Sequence, residues 1–507
     1  MIILKIKCNA VHRLLYLVFL FAISVFIKSQ NYYNEKYRPQ FHFTPEKMWM
    51  NDPNGLVFHN GTYHFFYQHY PEASVWGPMH WGHATSKDLL HWKHEKIALF
   101  PDELGMIFSG STVVDKNNSA GFGKNALVSI YTSHNIELEK NGQSDFQYQS
   151  LAYSTDNGNT WTKYAGNPVL PNSKKIRDFR DPKVIWNENN QKWQMVLAAG
   201  HEIQFYESDD LKNWTYLSTY KDTFPYSTGV WECPDLFEMQ ADNGEKKWIL
   251  IISHGNETIN GGSGTRYFVG DWDGKTFTTK QTKNLWLDYG SDNYAGVTYS
   301  NTKEKILIGW MSNWQYATTT PTEVWRSAAT IPRDLSLHYA NGEYELFSNP
   351  VKAFDNIAKK NILTKKNILL SKEFSFKNSD IQTSEINVEI NGNTNFNMTI
   401  GNENNEFYAI RFDSKNNELI FDRSNAGQSD FNPAFKKMAI NKVKIEKGTT
   451  KKFRILTDKS SVETFVDNGK YVITDLVFPN NEYNIIKISG KGNLIKKINI
   501  KKINKTW

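Results

Sequence analysis

Between about Tyr37 and Pro350 the chain runs in short aromatic and β-branched stretches, each closed by Gly, Asn, Asp or Pro, with little helical periodicity. Leu56-Val57-Phe58, the turn residues Asn60-Gly61 and Tyr63-His64-Phe65-Phe66-Tyr67 read as strand, turn and strand. The same layout returns in Lys183-Val184-Ile185-Trp186 with Trp193-Gln194-Met195-Val196-Leu197. It returns again in Asp235-Leu236-Phe237 with Trp248-Ile249-Leu250-Ile251-Ile252. A second signature interleaves with the first. Ser86-Lys87-Asp88-Leu89-Leu90-His91-Trp92, Ser154 to Trp161 and Ser208 to Trp214 share a Ser-x-Asp…Trp frame, and Gly270 to Phe277 is a weaker copy. Together they give five unit starts, at Asp52, Ser109, Asp181, Glu232 and Asp292, at intervals of 51 to 72 residues. Four strands with their turns fill roughly 40–50 residues, so each interval holds one four-stranded sheet. Sheets that repeat at this period predict a five-bladed β-propeller, because single hairpins cannot bury their own apolar faces.

After Pro350 the pattern changes. Lys, Asn and Ile dominate, and Ile386-Asn387-Val388-Glu389-Ile390, Phe407 to Phe412 and Lys452 to Leu456 alternate with period two. Such segments with polar turns predict an antiparallel β-sandwich. Ser460 to Asn468 reads as one of its hairpin strands. The fold class is therefore all-β. The expected organisation is a signal peptide over 1–30, a propeller over 31–350, a lysine-marked linker over 351–365 and a sandwich over 366–507.

Composition narrows the picture. The 507 residues exceed one ordinary core. The net charge of +6 is mild, and the lysines are spread, which argues against a nucleic-acid partner. Lys5, Lys7 and Arg13 precede an apolar run from Leu14 to Ile27. That run is short for a bilayer span, so export to the cell surface, periplasm or medium is expected, without a stable membrane anchor. Of the 2 cysteines, Cys8 lies in this segment and leaves Cys233 without a disulfide partner.

The candidate chemistry sits at the heads of the repeated units. Trp49-Met50-Asn51-Asp52-Pro53-Asn54-Gly55, Arg180-Asp181-Pro182 and Glu232-Cys233-Pro234 each open an innermost strand with a carboxylate. A propeller directs the heads of its innermost strands into one funnel, so Asp52, Asp181 and Glu232 are expected to converge. Unpaired carboxylates crowded in a concave site raise one another's pKa, and an acid beside an ionised carboxylate is the equipment of a glycosidase. No His/Cys cluster of metal-ligand spacing appears, so neither metal nor cofactor is expected.

These motifs resemble the three hallmark motifs of glycoside hydrolase family 32, which contains invertases, inulinases and levanases. The likeness continues through Phe65-Phe66-Tyr67-Gln68, Trp76-Gly77, Phe108-Ser109-Gly110, Asp288-Tyr289-Gly290 and Trp310-Met311-Ser312-Asn313-Trp314. The resemblance implies Asp52 as nucleophile on the anomeric C2 of a β-fructofuranosyl unit and Glu232 as acid and base. It implies Asp181 as the group that binds fructose hydroxyls and stabilises the transition state. Asn51, Gln68, Ser109 and Arg180 would be sugar contacts, with Trp76, Phe108 and Trp314 as apolar walls. Cys233, next to the acid, would tune its pKa. The implied activity is release of terminal fructose from levan or inulin, and cleavage of sucrose. A sucrose-preferring invertase, a fructosyltransferase and a non-catalytic fructan-binding protein stand as alternatives.

Overall fold

In the computed structural model, residues 32–507 are described, apart from 223, 225–228 and 260. The expected signal peptide, with Cys8, lies outside the described residues. Five antiparallel sheets follow one another along the chain, and their first strands are Met48–His59, Met106–Asp115, Phe179–Asn187, Trp231–Gln240 and Tyr294–Thr298. Each of these strands neighbours the next, and the fifth neighbours the first, so the sheets close as the blades of a propeller. The ring is sealed where Trp325–Arg326 pairs in parallel with Met48–Trp49. Ser300 N–H adds a bond to Leu56 O at 2.9 Å.

The repeated Ser-x-Asp…Trp frame is the turn between the third and fourth strands of a blade. Ser86, Ser154 and Ser208 each end a third strand. Asp88, Asp156 and Asp210 then accept backbone N–H groups further along the turn, such as His91 N at 2.9 Å, Thr160 N at 2.9 Å and Asn213 N at 2.8 Å. An Asp side chain that takes over backbone donors stabilises a tight reversal and frees the aromatic that follows to start the next strand. The fourth copy does the same through Asp273, which accepts from Lys275 and Thr276.

The C-terminal part is a sandwich of two six-stranded sheets. Ile386, Val388 and Ile390 point inward from one sheet and Met398, Ile400, Ile486 and Ile488 from the other, all essentially buried. Ser461–Val466 is a strand of the first sheet, paired with Tyr471–Leu476. Its Glu463 reaches out of the sandwich to Arg333 of the fifth blade at 2.7 Å, and Arg333 also holds Asp288 at 3.0 Å. A fully buried cation with two carboxylates fixes one domain against the other, where a lone charge there would be prohibitively costly.

Two expectations need correction. The lysine-rich stretch placed in a linker is the edge strand Lys360–Leu369, paired with Leu494–Lys502. It is mostly exposed, so it shows no alternating apolar face, and lysines are what protects such an edge from further pairing. Asp292, expected to head the fifth unit, lies before the strand Tyr294–Thr298 and is committed to Arg423 of the sandwich.

Candidate active site

The innermost strands carry an irregularity at the same height in every blade. Pairing is broken between Met50 and Pro53, between Ile107 and Gly110, opposite Asp181-Pro182, between Glu232 and Asp235, and between Tyr294 and Val297. These bulges explain the prolines of the motifs. Pro182 and Pro234 fall within such a bulge and Pro53 borders one, and a bulge is where a residue with no N–H to give to a ladder is tolerated. The extra residue re-aims its neighbours: Asp181 adopts φ 65° and Cys233 φ 46°. Left-handed backbone is unfavourable for side chains such as these by about 1–2 kcal/mol. Here it turns a strand-bound carboxylate and a backbone N–H toward the channel.

The three carboxylates line one cavity of about 350 Å³. Each is held from another blade. Asp52 of the first blade accepts Ser109 Oγ–H of the second at 2.7 Å, and Asn51 Nδ2 at 3.1 Å. Trp49 Nε1–H donates to Asn51 Oδ1 at 2.7 Å and so orients that amide. Asp181 of the third blade accepts the backbone N–H of Cys233 at 3.0 Å, while its own N–H donates to Thr132 of the second blade at 2.9 Å. Glu232 of the fourth blade is gripped by Arg180, whose Nε and Nη2 both donate to Oε1, at 3.2 and 2.9 Å. Its other oxygen accepts the hydroxyl of Tyr294 from the fifth blade.

All of the expected sugar contacts reach this cavity. Asn51, Gln68, Ser109 and Arg180 line it, and so do Trp76, Phe108 and Trp314. Gln68 is 2% exposed, and among the described residues its Nε2 has no protein partner. Phe108 meets Trp76 edge-on at 6.2 Å, and Trp314 stacks on Trp49 at 6.2 Å. Cys233, expected to tune the pKa of the acid rather than to touch sugar, stands behind the wall. It does not line the cavity, and its thiol points to Asp52 Oδ2 at 3.5 Å and Asp181 Oδ2 at 3.6 Å rather than to Glu232. The bulge turns this side chain away from its sequence neighbour Glu232 and toward Asp52 and Asp181.

Burial is the largest influence on Asp52 and Asp181. It raises Asp52 above the usual carboxylate range; donors from Ser109, Asn51 and Cys233 oppose the rise and the charge of Glu232 adds to it. Burial raises Asp181 to about 7, with Arg180 opposing and Glu232 and Asp52 adding. Burial beside those carboxylates pushes the Cys233 thiol well above its ordinary value, so it stays protonated. The expected picture of unpaired acids is corrected at Glu232, which has a guanidinium partner. Sequence reading also missed Tyr294, His134, Gln147 and Asp178. Gln147 and Asp178 accept from Arg180 Nη1 at 3.3 and 2.6 Å, and His134 stacks on Phe108 at 4.3 Å. Asp178 is only two residues from Arg180, a signal that was available; the other three come from neighbouring blades.

A propeller that gathers three acids from three blades around a sugar-sized, aromatic-walled hollow is the build of a glycosidase. The family models agree in both halves: glycosyl hydrolases family 32 N-terminal domain over residues 42–350, and glycosyl hydrolases family 32 C terminal over residues 350–504. The chain belongs to glycosyl hydrolase family 32. It is 44% identical to a levanase of Bacillus subtilis, over 96% of this chain and 73% of that protein. It is 37% identical to an extracellular exo-inulinase of Aspergillus niger, over 94% of this chain and 96% of that one. The crystal structure of an exo-inulinase from Aspergillus awamori superposes with a TM-score of 0.85 at 33% identity, covering 94% of this chain and all of the other.

Proposed function

We propose that this protein removes terminal β-fructofuranosyl units from levan or inulin, and from sucrose, by double displacement with retention. The observation that carries the reading is the pairing of two differently supported carboxylates in one cavity. Asp52 sits among the short-range donors Ser109 and Asn51, and Glu232 sits between Arg180 and Tyr294. In the first step an Asp52 oxygen attacks the anomeric C2, the C2–O bond breaks, and Glu232 delivers a proton to the departing oxygen. In the second, Glu232 takes a proton from water, the water oxygen bonds to C2, and Asp52 leaves. A covalent intermediate divides one difficult displacement into two easier ones.

Asp181 is the fructose-binding partner in this scheme. A carboxyl poised near 7 exchanges readily between donating to sugar hydroxyls and accepting from them, and its charge favours an oxocarbenium-like transition state. The free Nε2–H of Gln68 supplies a further donor to a hydroxyl, and Trp76, Phe108 and Trp314 cover the apolar faces of the ring.

Export of the chain is part of the same reading. The basic residues and apolar run at the N-terminus, together with the extracellular A. niger relative, support a secreted protein that meets its polymer outside the cell. Among the described residues no helix is long and apolar enough to cross a membrane. The test is a digest of levan, inulin and sucrose by the purified protein, with Asp52→Ala as control. Free fructose from the wild type alone supports the reading. Longer oligomers from sucrose would make it a transferase, and binding without turnover a sensor.

A further inference from the structure

Behind the catalytic carboxylates the third, fourth and fifth blades are joined a second time. Lys183 Nζ of the third blade donates to Asp235 Oδ2 of the fourth at 3.0 Å and to Thr298 O of the fifth at 2.6 Å. Thr298 N–H and Oγ–H both donate to that same Asp235 oxygen, at 2.6 and 2.7 Å. All three residues are buried, Asp235 completely. None of them takes part in the displacement steps, and none lines the catalytic cavity.

Their places along the strands match those of the groups around the acid. Lys183 follows Arg180 by three residues, Asp235 follows Glu232 by three, and Thr298 follows Tyr294 by four. A cation, a carboxylate and a hydroxyl donor from the same three blades therefore meet at two levels. Arg180, Glu232 and Tyr294 form the upper one at the cavity, and Lys183, Asp235 and Thr298 the lower one behind it. Between the levels lie the bulges. Within each blade regular pairing resumes at the lower level, with Lys183 opposite Val196, Asp235 opposite Ile251 and Thr298 opposite Leu307. A bulged segment is not held by its own ladder, so its direction depends on what anchors the strand beside it. Further out, Val196, Leu236 and Leu250 share one apolar cluster across the third and fourth blades. At the axis the lower level instead borders a rear cavity of about 720 Å³, which Lys183, Asp235 and Thr298 all line. Charge-assisted bonds therefore tie the inner strands there, and such bonds are directional.

We propose that Lys183, Asp235 and Thr298 are positioning residues for Glu232, fixing the third, fourth and fifth blades at the spacing that lets Arg180 and Tyr294 both reach it. The proposal rests on the β-fructosidase reading, in which Glu232 is the proton donor. The three residues act through the strands that carry the upper level, so loosening the lower one shifts the acid relative to Asp52. Proton delivery is the step that feels such a shift most, because it needs the donor within hydrogen-bond reach of the departing oxygen.

The experiment compares Thr298→Val, which keeps the shape and loses the hydroxyl, with Thr298→Ser, which keeps the hydroxyl. A double variant, Lys183→Met with Asp235→Asn, removes the ion pair without leaving a lone buried charge. Single-turnover release of the leaving group is followed, well below each melting temperature, on sucrose and on a fructosyl substrate whose leaving group needs no proton. Sucrose cleavage is expected to slow roughly 3- to 10-fold in Thr298→Val and up to about 100-fold in the double variant, with a smaller loss on the activated substrate. Thr298→Ser should behave as the wild type. Equal losses on the two substrates would make the lower level a general support of the fold and overturn the proposal. Unchanged sucrose cleavage in Thr298→Val, or an equal loss in Thr298→Ser, would also overturn it. Should the double variant not fold, the Thr298 pair decides by the same comparison. A wild type that cleaves neither substrate would sink the β-fructosidase reading itself, which is a separate outcome.

Discussion

Arg180 donates two N–H groups to a single oxygen of Glu232, from Nε at 3.2 Å and Nη2 at 2.9 Å. The two residues belong to adjacent blades, and Asp178 and Gln147 brace the far end of the guanidinium. A lysine carries the same charge but not the planar fork, so it cannot hold the carboxylate in one orientation. Arg180→Lys should lower kcat on sucrose by roughly 10²-fold or more, since misplacement of a proton donor by an ångström is enough. Steady-state kinetics beside a thermal melt close to the wild type would separate this from misfolding.

Asp52→Ala and Glu232→Ala should each lose several orders of magnitude in turnover, but by different routes. A fructosyl substrate with a leaving group that needs no proton should partly rescue the first step in Glu232→Ala and leave Asp52→Ala inactive. Equal rescue of both would contradict the assigned roles. Single-turnover release of the leaving group is the measurement.

Asp181 gives a prediction about stability. Its pKa is raised to about 7 mainly by burial, so the folded chain binds a proton that the unfolded chain has released anywhere between about pH 4 and pH 7. Stability from this residue is fully present below the unfolded value and is lost as pH rises toward 7. Asp181→Asn, which never ionises, should gain on the wild type across that window, by at most about 4 kcal/mol, while losing activity. Melting curves at pH 4 and pH 8 check it: the difference in Tm should favour the variant more strongly at pH 8.

The acids and their blades were legible because each motif repeats a strand pattern, and the register of three heads needs no knowledge of contacts. The partners of those acids were less legible. Tyr294 bonds Glu232 only once the fifth blade has come round beside the fourth, and nothing in the order of residues signals that meeting. The direction of the Cys233 thiol was not legible, because adjacency in the chain suggests adjacency in space, whereas a bulge at φ 46° sends it to Asp52 and Asp181. The edge strand Lys360–Leu369 was hidden by its exposure, since a strand that leans only the half-buried Ile362, Leu363 and Ile368 on the core has no regular alternation to read.

The thiol has a test of its own. It donates to Asp52, a contact that lowers the carboxyl's pKa against the rise caused by burial. Cys233→Ala should therefore move the acidic limb of the kcat/KM profile to higher pH and leave the alkaline limb in place. Movement of the alkaline limb alone would return the thiol's influence to Glu232.

The proposed mechanism turns on Asp52 attacking the sugar directly, with Glu232 serving both halves of the reaction. The anomer of fructose first released from sucrose or levan, followed by NMR before it mutarotates, reads this out. Two displacements at C2 predict β-fructofuranose as the first product; α-fructofuranose would mean that water attacks C2 directly and that Asp52 is not the nucleophile.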